Sequence, residues 1–382
     1  MAIKNFLIEQ YKNNSKLKIN HSYLVEQFHD YKKIFRKIEK IVKFGDYTLG
    51  SEVDNFEKSL AKRTGSKFAI GVGNGTDALF LALKVFNIGH GDEVITTPYT
   101  FIATTASIVT SGAKPVFVDI KDDYNIDENK IEKAITKKTK AIMIVHWSGR
   151  PCELDKIKKI CNKYKLKLIQ DSCHAIDAKF KGRNIVSYGD ICTFSMHPLK
   201  NLNIWGDGGF MLTQSKDTAK KIQLLRNHGL INRDRCEVFG FNSRLDTLQA
   251  AVANYKLKHK LDKITKMRIK NAKLFDKLLK NNPKIKTIKR EKYLKEVFHL
   301  YQINLKDRDK LAKHLNKHGI DAKVHYPTPV YLQPAAKFLK HKKGDFPVAD
   351  HMAKTSLSLP VHEFVKKNDI FKVSKLINNF LK

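Results

Sequence analysis

FAIGVGNGTDALFLALKVFNIGHGDEVITT, residues 68–97, decides the fold. FAIGVG (68–73) and EVITT (93–97) are short β-rich runs, and ALFLALKVF between them is a helical pattern. The alternation continues downstream. PVFVDI (115–120), AIMIVH (141–146), KLIQD (167–171) and ICTFS (191–195) read as strands, with DENKIEKAI and ELDKIKKICNKY as helical patterns among them. Strands that alternate with helices predict an α/β fold: a mostly parallel sheet flanked by helices on both faces. The near-continuous apolar strands fit burial on both sides.

Upstream, Ser51 followed by Asp54 predicts a helix N-cap, Phe56 and Leu60 share one face, and Gly65 stands where the helix should stop. Beyond about residue 245 the pattern turns to long lysine-rich helices. VFHLYQINL then reads as a strand, RDKLAKHLNKHG as a helix ending in glycine, DAKVHY as a second strand and NDIFKVSKLINNFL as a last helix. The chain therefore parses into an N-terminal extension (1–35), a large α/β domain (36–255) and a smaller C-terminal α+β domain (256–382). Residues 1–25 are expected to pack on the small domain.

A chain of 382 residues, 42% apolar and 29% charged, has the composition of a soluble globular protein with room for two domains. No apolar run reaches the roughly 18–20 residues that span a bilayer. MAIKNFLIEQYK at the N-terminus lacks the apolar core and cleavage site of a signal peptide. The expectation is a cytoplasmic protein without membrane contact. Cys152, Cys161, Cys173, Cys192 and Cys236 are odd in number and show no C-x-x-C spacing, which points to buried free thiols and to no metal site. The net charge of +34 raises the alternative of a nucleic-acid binder. The lysines, however, alternate with apolar residues at helical spacing, as in KKIFRKIEKIVK, so they read as solvated helix faces. Nucleic acid is not the expected partner, and the charge suits an anionic small substrate.

Chemistry-bearing segments follow strand ends, where open α/β sheets place ligands. In GVGNGTDAL a strand gives way to a helix near Thr76, and a helix N-terminus offers unpaired N–H groups to a phosphate. The same residues would serve a plain β-to-α turn with a threonine cap. In LIQDSCHAI, Asp171 ends a buried strand and needs a cationic or hydrogen-bonding partner, of which a pyridinium nitrogen is one. It would equally serve as a helix cap. His174 lies three residues on. In TFSMHPLKNLNIWGDGGF, Lys200 stands in an otherwise uncharged stretch, which lowers a lysine's proton affinity and favours Schiff-base formation.

The ordered set GNGTDAL, TPYTFIAT, VHWSG, QDSCHA, FSMHPLKNLNIWGDGG, RNHG, GFNSRLDTLQAA and HGIDAKVHYPTPVYLQPA resembles the DegT/DnrJ/StrS family of nucleotide-sugar aminotransferases over about residues 45–380. The resemblance implies a fold-type-I transferase, pyridoxal 5′-phosphate as cofactor, held by the large domain, and a homodimer with shared active sites. It makes Lys200 the Schiff-base lysine and Asp171 the carboxylate on the pyridine nitrogen. Thr76, Asp77 and Ser195 fall at phosphate-holding positions, Asp77 through its backbone N–H. Phe101 would stack on the pyridine ring, and His174 would reach the phenolic oxygen or its neighbourhood. Asn242 and Arg244 match a segment that reaches the partner subunit's phosphate. Three further residues are expected at the substrate: His325 from the small domain, and Trp147 and His146 at a strand end lining the sugar pocket.

The resulting expectation is ping-pong transamination from glutamate to a nucleotide-linked keto sugar, in the making of surface polysaccharide or secondary-metabolite sugars. Lys200 both tethers the cofactor and moves the proton. Some family members are dehydratases with histidine at the lysine position. This chain carries lysine there, and His197 does not substitute for it; a dehydratase or a silent relative is the alternative.

Overall fold

The computed structural model describes residues 17–21 and 23–382. Two helices lead into the sheet. The first, α1 (Tyr31–Phe44), buries Ile34 and Ile41 and stops at Gly45, and α2 (Ser51–Thr64) stops at Gly65 in the left-handed conformation, φ 72°. The N-cap of α2 is Gly50 rather than the expected Ser51. The Asp46 carboxylate accepts both the N–H and the hydroxyl of Ser51, at 2.9 and 2.8 Å, so an aspartate five residues earlier does the capping work.

The large sheet then forms from β1 (Phe68–Val72), β2 (Glu93–Thr96), β3 (Lys114–Phe117), β4 (Thr139–Val145), β5 (Lys167–Asp171), β6 (Ile191–Ser195) and β7 (Gly209–Thr213). Their order is β1-β7-β6-β5-β4-β2-β3. All neighbours are parallel except β7, which runs antiparallel to both β1 and β6. The helices α3 (Gly75–Val85), α4 (Ile102–Thr110), α5 (Leu154–Tyr164) and α6 (Lys216–Leu225) connect and cover it. Ile142, Ile144, Leu168, Ile169 and Ile191 have no exposed surface, and each such side chain stabilises the fold by about 1.5–3 kcal/mol relative to exposure.

Local readings differ in places. DENKIEKAI forms no α-helix; only Glu132–Ala134 makes a 3-10 turn. The Asp127 carboxylate accepts the N–H of Asn129 and the Asp127 N–H bonds the Asp119 carbonyl, and such local bonds compete with helix. All five cysteines are free, and Cys236 is exposed rather than buried.

The helix α7 (Thr247–His259) runs unbroken through the expected boundary at 255/256, and buried core of the large domain continues to Leu261. Likewise α1 crosses the expected boundary at 35/36. After α7 come α8 (Leu261–Leu279), β8 (Lys286–Thr287), β9 (Tyr301–Asn304), α9 (Arg308–Lys317), α10 (Pro347–Thr355), β10 (Ser356–Leu359) and α11 (Lys367–Phe380). The small sheet is antiparallel, β8-β9-β10. DAKVHY is not a strand: only Lys323 bridges Ser358, and SLSL supplies the pairing instead. The backbone at His325 and Tyr326 bonds the Tyr99 hydroxyl, which pulls it away from the sheet.

The start of the described chain is sewn to this small domain. Ile19 forms a parallel bridge with Ile320 and lies in the same core as Phe275 and Leu311. Residues 1–16, also expected to pack there, lie outside the described residues. Between the domains, Tyr99, Tyr124, Trp147 and Leu300 form one apolar cluster, and Arg150 pairs with Glu296 at 2.6 Å with both side chains buried.

Candidate functional site

The carboxyl ends of β1, β6, β5 and β2 meet on one edge of the sheet, and the large-domain residues Thr76, Phe101, Asp171, His174, Ser195 and Lys200 follow those ends. At β1, Asn74 is extended and caps α3; its side-chain oxygen accepts the Asp77 N–H at 2.8 Å. The Asp77 N–H, expected for the phosphate, is thus already paired. The Asp77 carboxylate accepts the Ser243 hydroxyl at 2.7 Å. The earlier N–H groups of α3, at Gly75 and Thr76, have no intrahelical acceptor. Ser195, at the end of β6, lies against Gly75 so closely that a Cβ there would sit 2.6 Å from the Ser195 Cβ. A helix N-terminus and a hydroxyl are therefore held side by side, with glycine at the contact because nothing larger fits.

Asp171 ends β5 and is 6% exposed. Its carboxylate accepts the Thr104 hydroxyl at 2.8 Å and the Cys173 N–H at 3.2 Å, and Thr104 is bonded in turn to Thr100. These bonds fix the carboxylate in direction as well as place. No helix follows Asp171, which removes the helix-cap reading.

Lys200 lies in the connection between β6 and β7. Its N–H bonds the His197 carbonyl at 2.8 Å, closing a turn with Pro198 second, the position a proline's fixed φ favours. Met196 N–H bonds Gly208 and Ile204 N–H bonds Met196, so the loop is pinned at its base. Burial lowers the proton affinity of the Lys200 amine below its ordinary value, while nearby Cys173 and Asp171 act in the other direction. The residue is only partly covered over its whole length; the amine end is the desolvated part.

His174 is buried, and burial followed by the Lys200 charge holds its imidazole well below its ordinary value. Its ring stacks on His299 at 4.2 Å. His299 was not legible in the sequence as a site residue; it stands just before β9, and its Nδ1 lies 3.4 Å from the Asn201 side-chain oxygen, next to Lys200. Phe101 caps α4 and is 49% exposed, an aromatic face at the edge of the site, 5.9 Å from the Tyr326 ring.

His325 lines a cavity of about 260 Å³ that also touches Leu199, His299 and Tyr326. Its Nδ1 is 3.0 Å from the Ser358 hydroxyl, and burial, then the neighbouring His21, pushes its pKa down to about 3, so the ring is neutral. Trp147 stands behind this layer. It is 1% exposed, donates its indole N–H to Gln302, and packs on Tyr99, Tyr326 and His174. His146 is wholly internal, tied to Gln170 and to the Cys152 N–H.

Asn242 and Arg244 are not brought to Lys200 within one chain. Asn242 bridges Asn227, and Arg244 donates to the Asn227 side chain at 3.1 Å. Ser243 between them braces the rear of the α3 cradle. The loop just before them carries Phe239, 98% exposed.

The donors fit pyridoxal phosphate. The α3 N-terminus, Thr76 and Ser195 suit its phosphate, and the fixed Asp171 carboxylate suits a ring N–H. The Nδ1 of His174 is buried with no hydrogen-bond partner among the described residues, capacity that a polar ring substituent would use.

Comparison with known proteins finds a family and close structural likenesses. The profile of the DegT/DnrJ/EryC1/StrS aminotransferase family matches residues 29–378. The chain is 39% identical to the pleiotropic regulatory protein of Geobacillus stearothermophilus over 90% of this chain and 93% of that one. It is 36% identical to the dTDP-3-amino-3,6-dideoxy-alpha-D-galactopyranose transaminase of Aneurinibacillus thermoaerophilus, over 91% and 95% of the two chains. In three dimensions it is similar to S. venezuelae DesV, solved in complex with a ketimine intermediate: TM-score 0.93, 33% identity, 95% and 98% coverage.

Proposed function

Because the chain belongs to the DegT/DnrJ/EryC1/StrS aminotransferase family, we propose that it transfers an amino group from glutamate to the keto carbon of a nucleotide-linked sugar, with pyridoxal phosphate as cofactor. The relatives named as sugar transaminases support the substrate class. The observation that carries the reading is the convergence of Lys200, Asp171, Ser195 and the α3 N-terminus, from separate segments, on one edge of the sheet.

Pyridoxal phosphate, when bound, supplies an electron-withdrawing ring that acidifies the carbon bearing the amino group. The chain supplies the rest. The α3 N-terminus and Ser195 would hold the phosphate, Asp171, oriented by Thr104 and Cys173, would accept the ring N–H, and Phe101 would pack against the ring. The Lys200 amine, lowered below its ordinary value, takes a proton from the donor α-carbon and returns one to the carbon that becomes aminated. The neutral imidazoles of His325 and His299, at the cavity wall, offer hydrogen bonds to sugar hydroxyls without adding charge. A homodimer would complete the site. Phe239, 98% exposed, and the exposed Asn242 with the half-buried Arg244 support that assembly, with those polar residues directed to the partner's phosphate.

The test is a panel of 3-keto and 4-keto nucleotide sugars offered with glutamate to the cofactor-loaded protein and read by mass. One aminated product is expected. Failure of the whole panel, with cofactor bound to Lys200, would overturn the substrate class.

A further inference from the structure

The most deeply buried lysine among the described residues does not belong to the machinery above. Lys256, on α7, is 1% exposed and makes no ion pair among the described residues. Its amine instead donates to the side-chain oxygens of Gln27, at 2.9 Å, and Asn203, and lies 4.8 Å from the centre of the Phe28 ring. Burying an ammonium without a carboxylate is costly, and burial lowers its pKa to about 7. A methionine would fill the same space. What the amine adds is hydrogen-bond donors.

That addition has a directional effect. Gln27 and Asn203 are both buried, and each side-chain amide has one oxygen and one NH2. A donor facing them turns both oxygens toward Lys256. Both NH2 groups then reach the carbonyl of Pro198, and the Asn203 NH2 also donates to the Gln27 oxygen. Pro198 is second in the turn that ends at Lys200. Its carbonyl belongs to the central peptide of that turn, the plane whose rotation interconverts the common turn types. Asn203 also sits on the far side of the same loop, and Gln27 belongs to the N-terminal segment, so three parts of the chain hold one carbonyl.

We propose that Lys256 is a positioning residue: by orienting the Gln27 and Asn203 amides onto the Pro198 carbonyl, it fixes the turn that presents Lys200. The proposal rests on the reading of Lys200 as the reacting amine. Lys256 acts through this turn and not as a charge on Lys200, beside which the carboxylate is that of Asp171.

The experiment compares Lys256→Met, which keeps the volume, with Lys256→Gln, whose NH2 restores a donor to both oxygens. Hydrogen exchange over residues 197–204 is measured on the full chain without cofactor, and steady-state kinetics on the loaded enzyme. Lys256→Met should speed exchange in this loop about tenfold and lower kcat roughly tenfold to a hundredfold, with KM for the sugar substrate unchanged. Lys256→Gln should restore both. Wild-type exchange and kcat in Lys256→Met would overturn the proposal, as would an equal loss in Lys256→Gln. If Lys256→Met does not fold, Gln27→Leu must show the same local exchange and kcat loss, and its absence would also overturn it. The exchange arm needs no substrate, so a failure of the proposed activity is read separately, from the wild type.

Discussion

Replacing Gly75 with alanine tests the phosphate cradle at its tightest point. The new Cβ would lie 2.6 Å from the Ser195 Cβ and 3.2 Å from the Ser195 Cα, whereas carbon atoms rest at about 3.5–4.0 Å. The contact is with backbone as well as side chain, so no rotamer change relieves it. The end of β6 or the first turn of α3 must move by about 1 Å. Overpacking of this kind costs about 1–3 kcal/mol, and alanine's better helix propensity returns up to about 1 kcal/mol. Global stability should therefore fall by up to about 3 kcal/mol. Binding should suffer more, because both walls of the cradle shift. Titration of the cofactor-free protein with pyridoxal phosphate should show affinity reduced at least about tenfold, ~1.4 kcal/mol. Unchanged affinity together with a raised Tm, the behaviour of an unhindered glycine-to-alanine change in a helix, would refute the reasoning.

Other outcomes follow from the same geometry. Asp171→Asn keeps an acceptor for Thr104 but removes the carboxylate; turnover should drop at least about a hundredfold, while borohydride still fixes the cofactor to Lys200, as peptide mass mapping would show. Lys256 has a folded pKa lowered to about 7 against about 10.4 unfolded, so between these values the unfolded chain binds more protons and stability rises with pH. Tm should climb from pH 7 to 10 more steeply in the wild type than in Lys256→Met; equal slopes would refute the burial of a free amine. Phe239→Asp should shift the protein toward monomer in sedimentation and lower activity with it, and an active monomer would remove the shared-site reading.

Much of the site was legible because its residues stand at strand ends. KLIQD and ICTFS are apolar runs bounded by punctuation, so Asp171 and Ser195 could be placed on the sheet's carboxyl edge before any contact was known. The strand β7 was harder: GFMLT follows a glycine-rich turn and carries no mark that it runs antiparallel into the sheet. DAKVHY has β-type residues, yet Tyr99 takes its backbone. Those outcomes depend on tertiary partners far along the chain. His299 has no sequence relation to His174, and only the approach of β9 to β5 stacks their rings. Lys256 was hidden for a different reason. Among 72 basic residues, most of them solvated, composition says nothing about which one is buried.

The pairing of β1 with β7 has a consequence for how the protein comes into being. Phe68 is registered against Thr213, so the edge of β1 has no partner until residues 209–213 have been synthesised and folded back. During translation the segments β2 to β6 can assemble in parallel, whereas β1 waits with its hydrogen-bonding edge bare, a state prone to aggregation. The turn at the end of β1, proposed above to hold the cofactor phosphate, is therefore among the last features to be seated. Cofactor capture should then report completion of the fold, and excess pyridoxal phosphate during expression should raise the yield of soluble protein by drawing off the late, exposed intermediate.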